Sequence, residues 1–131
     1  PMHKGLLNIF DKAECTFITA FRKSNNSGGF LIQIEYVSTP DLTDKVVIMA
    51  DPMLATGLSM VLCCKELMNR FKIKELHIVA AIASSEGIRH VRANLPKAKI
   101  WVGAIDEEMT SKSYIVPGLG DAGDLAYGNK L

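Results

Sequence analysis

Residues 51–59 read D-P-M-L-A-T-G-L-S, and those residue types suit a phosphate. Thr56, Gly57 and Ser59 fall where a helical pattern begins. The first N–H groups of a helix have no internal partners, and the dipole there is positive. A phosphate can accept from those amides and from the two hydroxyls. Gly57 lets backbone approach closely because it has no Cβ. Asp51 faces the same crevice and could accept from sugar hydroxyls. The same residues also suit a βα turn with no ligand, with Ser59 as helix N-cap and Asp51 as turn former. Spacing alone leaves both readings open. A second stretch, P-G-L-G-D-A-G at 117–123, is a poor helix and a poor strand. Its glycines allow an unusual path with exposed N–H and C=O groups, although by itself it also reads as an ordinary surface loop.

The elements that must position these residues follow from periodicity. The run V-V-I-M-A at 46–50 is continuously apolar, the pattern of a strand buried on both faces. Residues 60–71 have helical spacing, with Met60, Cys64, Leu67 and Phe71 on one face and Lys65, Glu66, Asn69 and Arg70 off it. Further apolar strands are expected at 76–83 and 99–105, with a helix opening at Ser84-Ser85-Glu86-Gly87 and stopping before Pro96. Trp101 and Gly103 read as packing residues, and His77 as a satisfied core or edge histidine. Asp106 and Glu107 fall at a strand's carboxyl end, on the ligand side of such a sheet. Strand–helix alternation after residue 45 predicts an α/β fold: a mostly parallel, Rossmann-like sheet with helices on both faces.

Before it, residues 2–10 have an amphipathic helical pattern. Residues 15–22 and 30–37 are β-rich and flank an Asn/Gly cluster, which predicts a projecting hairpin. Its tip, 24–29, is expected to be mobile and could act as a flap. Arg22 at its base suits a diphosphate, since a guanidinium fork is planar and always charged, but it also reads as a solvated charge at a strand end.

Composition narrows the function classes. A chain of 131 residues fits one domain. Net charge is +1, so no nucleic-acid surface is indicated, and no apolar run has membrane-spanning length. Three cysteines, two of them adjacent in a helix with side chains about 100° apart, suggest reduced core residues rather than a disulfide or metal framework. With no signal-peptide pattern, the expected location is the cytoplasm.

The 51–59 motif resembles the phosphoribosyl-diphosphate (PRPP) loop of uracil phosphoribosyltransferases. Ordinary type I phosphoribosyltransferases carry two adjacent acids before the Thr-Gly. The uracil enzymes keep the first, here Asp51, and put proline second, here Pro52. Y-I-V-P-G-L-G-D-A-G-D at 114–124 is similar to that family's uracil loop, and the two motifs stand in the family's order. The resemblance runs over residues 1–131. It implies a single type I phosphoribosyltransferase domain whose amino-terminal part, with an Arg-Ala-Gly pyrophosphate loop, would lie before Pro1. On that reading the 131-residue stretch alone is expected to form no UMP.

By the same resemblance, Arg22, Asp51, Pro52, Met53, Leu54, Ala55, Thr56, Gly57, Leu58, Ser59 and Asp121 contact PRPP. Ile115, Gly120, Asp121 and Ala122 line the base, and Asp121 is the catalytic candidate, stabilising charge on the ribose. No protein metal ligand is implied. The reaction implied is uracil plus PRPP giving UMP and diphosphate in pyrimidine salvage, with Mg²⁺ accompanying PRPP, GTP as effector, and a homodimer or higher homo-oligomer. Small-molecule substrates, and neither nucleic acid nor membrane, are the expected partners. Uracil offers a donor at N3 between two carbonyl acceptors. Cytosine reverses the pattern at positions 3 and 4 and would leave loop groups unpaired. The chain departs from the family where Leu58 replaces a glycine, Leu125 a basic residue and Asn129 a threonine. Leu58, together with the pyrophosphate loop that does not occur after Pro1, supports an alternative: a catalytically impaired nucleotide sensor of the same fold.

Overall fold

The computed structural model describes residues 1–24, 30–111 and 113–128. Its elements are α1 (Met2–Ile9), β1 (Phe17–Ser24), β2 (Phe30–Ser38), β3 (Val46–Leu54), α2 (Leu58–Arg70), β4 (Glu75–Ser84), α3 (Ser85–Asn94), β5 (Lys99–Asp106), β6 (Glu108–Met109), β7 (Ile115–Val116) and α4 (Ala122–Tyr127). β3, β4 and β5 form a parallel sheet in that order. β1 and β2 form an antiparallel hairpin with a bulge at Thr19/Ala20, and β6 and β7 form a second, two-residue pair. This is the expected mixed α/β fold with a hairpin beside it. The tip expected to be mobile lies, apart from Ser24, outside the described residues.

The core follows from the connections. β–α–β crossovers are right-handed, so two in succession across a sheet ordered β3-β4-β5 carry α2 and α3 to one face. There Met60, Val61, Cys64 and Leu67 of α2 meet Ile88 and Val91 of α3 and Val47, Leu76, Ile78 and Ala80 of the strands. Ile18 and Val37, paired across the hairpin, pack against the same cluster, so the hairpin's base is tied to the core. α1 lies against β3.

Several expectations change. The strands at the sheet's edges are not buried on both faces: Val46 is 53% exposed, Ile48 37% and Ile105 55%. Trp101 is 56% exposed rather than packed inside. Its indole N–H donates to His77 Nδ1 at 2.9 Å, and the two rings stack. His77 Nε2 in turn bonds Glu75 at 2.9 Å, so His77 is satisfied, as its sequence context suggests. β3 continues through Asp51 and Pro52 to Leu54 instead of ending at Ala50. Among the described residues β3 lies at an edge of the sheet, where a proline is tolerated. α2 begins two residues earlier than periodicity indicates, and Phe71 is its C-cap. Cys15 and Thr16 precede β1 rather than opening it. Where the 117–123 loop promised no helix, Ala122 and Gly123 begin α4.

Candidate active site

β3 delivers Asp51 near the carboxyl end of the sheet, and the chain turns through Ala55, Thr56 and Gly57 into α2. One concavity is lined by Asp51, Met53, Leu54, Ala55, Thr56, Gly57, Ser59 and Met60. Seven of the positions matched to the PRPP motif therefore converge. Pro52 is exposed beside them, and Leu58 is 46% exposed on the first turn of α2. The Leu54 side chain is in the core at 1% exposure, so only its backbone faces the loop.

Ser59 is not the helix cap. Gly57 is, at φ +74°, and no side chain caps the helix. The first helical bond runs from Val61 N–H to the Gly57 carbonyl at 2.9 Å, so the amides of Leu58, Ser59 and Met60 precede the helical ladder. Thr56 Oγ1 accepts from Leu58 N–H only at 3.4 Å. The helix start thus carries the donors and the positive dipole end that an anion requires.

Asp51 Oδ1 accepts from Met53 N–H at 3.0 Å. Burial pushes its carboxyl above the ordinary aspartate range, and the Met53 bond pulls the other way. Cys63, on the first half of α2, has its thiol pushed up by burial first and by the Asp51 charge second. Cys64 is pushed up to about 12 by burial, with Cys63 adding to it. These are inert core thiols, and Cys15 is exposed.

The second motif lies beyond the carboxyl end of β5. Asp106 Oδ2 accepts from Gly118 N–H at 2.9 Å, pinning a turn with a cis Val116–Pro117 bond. Tyr114, Leu119, Gly120, Asp121, Asp124 and Leu125 line a second concavity. Gly120 and Asp121 are therefore on its wall. Ile115 is 3% exposed, so its side chain is core and only its backbone is available. Ala122 is the first residue of α4. Asp121 caps that helix: Oδ1 accepts from Gly123 N–H at 2.8 Å and Asp124 N–H at 3.0 Å. Sequence reasoning missed this cap, although D-A-G-D carries the signal of an acid just before a helix turn. The two concavities share no lining residue. Arg22 pairs with Ile32 in the hairpin register, and its side chain lies outside the described residues.

Among the described residues no three His, Cys, Asp or Glu side chains converge as metal ligands. No helix there is long and apolar enough to cross a membrane.

Residues 1–129 match the family model for uracil phosphoribosyltransferase. A uracil phosphoribosyltransferase of Porphyromonas gingivalis is 51% identical over an alignment covering 100% of this chain and 61% of that protein. One from Thermococcus gammatolerans is 38% identical, covering 100% of this chain and 58% of its own length. Among solved structures, the AQ2163 protein from Aquifex aeolicus superposes with a TM-score of 0.87 at 32% identity, over 98% of this chain and 60% of that one. The chain thus spans about three fifths of the length of these relatives. By fold, motif order and family match, it belongs to the uracil phosphoribosyltransferase family.

Proposed function

We propose that this chain supplies the PRPP and uracil sites of a cytoplasmic uracil phosphoribosyltransferase. Uracil N1 would form a bond to C1 of the ribose as the bond from C1 to diphosphate breaks. The N1 proton passes to solvent, and UMP and diphosphate leave. The observation that carries this reading is the α2 start: amides of Leu58, Ser59 and Met60 stand ahead of the helical ladder, and Ser59 and Met60 line one concavity with Thr56 and Asp51. The ribose 5-phosphate would accept from those amides and from Thr56 and Ser59. Asp51 would accept from ribose hydroxyls.

Positive charge develops on the ribose as diphosphate departs, so no side-chain nucleophile is needed. Catalysis then comes from positioning and electrostatics. The Asp121 carboxylate, held in orientation by its cap to α4, is the group assigned to that charge. Mg²⁺ would arrive with PRPP as the counter-ion of its diphosphate. Arg22, on β1, is assigned to the diphosphate. Single-domain organisation, a homodimer and a GTP effector are carried from the family resemblance as parts of the same proposal.

The test is chromatographic detection of UMP when a polypeptide of the relatives' full length carrying these residues is given uracil, PRPP and Mg²⁺, with cytosine as control. UMP from uracil, and no product from cytosine, is expected. PRPP binding without turnover would favour the nucleotide sensor. Absence of both binding and turnover would overturn the assignment.

A further inference from the structure

The loop that leads into α2 is held from beneath by the junction of β4 and α3. Ser84 ends β4, is 0% exposed, and caps α3 by accepting from Gly87 N–H at 2.8 Å. Its hydroxyl proton goes elsewhere: Ser84 Oγ donates to the Ala55 carbonyl at 2.6 Å, across 29 positions of sequence. One hydroxyl thus joins the first turn of α3 to the loop before α2. Gly87 adds a close backbone approach. A Cβ there would lie 2.2 Å from the Ala55 carbonyl oxygen and 2.8 Å from that of Leu54. From the other side, a Cβ on Gly57 would lie 2.9 Å from the Gly87 carbonyl oxygen. The two segments touch because both contact positions are glycine. Neither Ser84 nor Gly87 lines the concavity around Asp51 and Thr56.

We propose that Ser84 and Gly87 are positioning residues for the phosphate loop: the β4–α3 junction fixes the Ala55 carbonyl, and with it the direction of the amides that open α2. This rests on the reading of that loop as the PRPP site. The physical reason is leverage. Ala55 is three residues before Leu58, and the Gly57 backbone between them has little freedom once it is seated on Gly87. Moving the Ala55 carbonyl turns the Thr56 hydroxyl and the first α2 amides together. Loss of the Ser84 hydroxyl leaves the buried Gly87 N–H and the part-buried Ala55 carbonyl without their partner, which drives the loop to rearrange.

The test measures two things on a polypeptide of the relatives' full length carrying these residues: hydrogen exchange of the 54–60 segment without ligand, and PRPP and uracil dependence. Gly87→Ala should speed exchange there and raise the PRPP Kd and KM about tenfold, because a displaced anion site misaligns the substrate. The uracil KM should stay within about twofold, since the uracil loop belongs to a different concavity. Ser84→Ala should shift the same observables about threefold, and decides alone if Gly87→Ala does not fold. Ile78→Val, a core change on β4, is the control: it should lower the melting temperature without moving PRPP affinity. If Ser84→Ala behaves like Ile78→Val, with unchanged exchange at 54–60 and unchanged PRPP affinity, the proposal is overturned. If wild-type protein binds no PRPP, the functional reading falls and the proposal with it. Binding by wild type with equal binding by the variants removes the proposal alone.

Discussion

The Asp106 carboxylate accepts from the Gly118 N–H at 2.9 Å, so the last residue of β5 holds the turn that opens the glycine-rich loop. Sequence position marks Asp106 as a residue on the ligand side of the sheet; the contact gives it a task. Asp106→Ala should free that turn. A bond from an amide to a charged acceptor contributes about 1.5–3 kcal/mol, so a rise in uracil KM of about tenfold is expected, with a smaller change for PRPP. Steady-state kinetics with each substrate varied in turn checks this. Equal loss for both substrates would argue against a specific hold on the uracil loop.

Thr56→Val should weaken PRPP binding by about threefold to tenfold while leaving the melting temperature unchanged. Among the described residues the hydroxyl makes one long contact, at 3.4 Å to Leu58 N–H, so little of that structure depends on it. Calorimetric titration with PRPP decides: unchanged affinity removes Thr56 from the site.

Asp51 links binding and stability through pH. Burial raises its carboxyl pKa in the folded state. The folded protein therefore holds this proton more tightly than the unfolded chain. That contribution to stability is present below the unfolded aspartate pKa and is lost as pH rises through the folded value. At neutral pH the ionised group costs stability, and Asp51→Asn should melt at the same temperature or higher. PRPP binding should nonetheless fall, and in wild type it should fall on acidification at a pH above the ordinary aspartate range. A stability loss in Asp51→Asn at neutral pH, with intact PRPP binding, would reverse both signs.

The thiols should separate cleanly. Cys15 is exposed, whereas burial pushes up the thiols of Cys63 and Cys64, the latter to about 12. A thiol reagent at about pH 8 should label Cys15 rapidly and the other two only on unfolding, because the thiolate is the reacting form. Rapid labelling of Cys63 in the native protein would mean that the α2 face behind Asp51 opens in solution.

Much of this was legible in the sequence because its causes are local. The apolar run at Val46, the helical spacing from Met60 to Leu67, and Ser84 ahead of Glu86-Gly87 each carry their own signal, and β3, α2 and the capped α3 follow them. What escaped depends on distant partners. The Gly57 cap at φ +74° arises where that residue meets Gly87, 30 positions away in the chain. The helix opening at Ser84 to Gly87 is legible, but nothing near it announces the bond from Ser84 to Ala55. Trp101 reads as core until two right-handed crossovers carry α2 and α3 to the same side, leaving it on the open face. β6 and β7 are two residues each, too short for any periodicity to register. In the 117–123 loop, glycine content hid the start of α4, which the Asp121 carboxylate secures.

The most direct measurement is hydrogen exchange of the purified protein with PRPP and, separately, with UMP. The amides at stake are those of Leu58, Ser59 and Met60 at the α2 start, and those from Gly118 to Ala122 beyond Asp106. PRPP should slow exchange in the first set, and UMP in both, because its phosphate and its base occupy the two sites at once. Protection by either ligand confined to other segments, with both sets exchanging as in the free protein, would contradict the account.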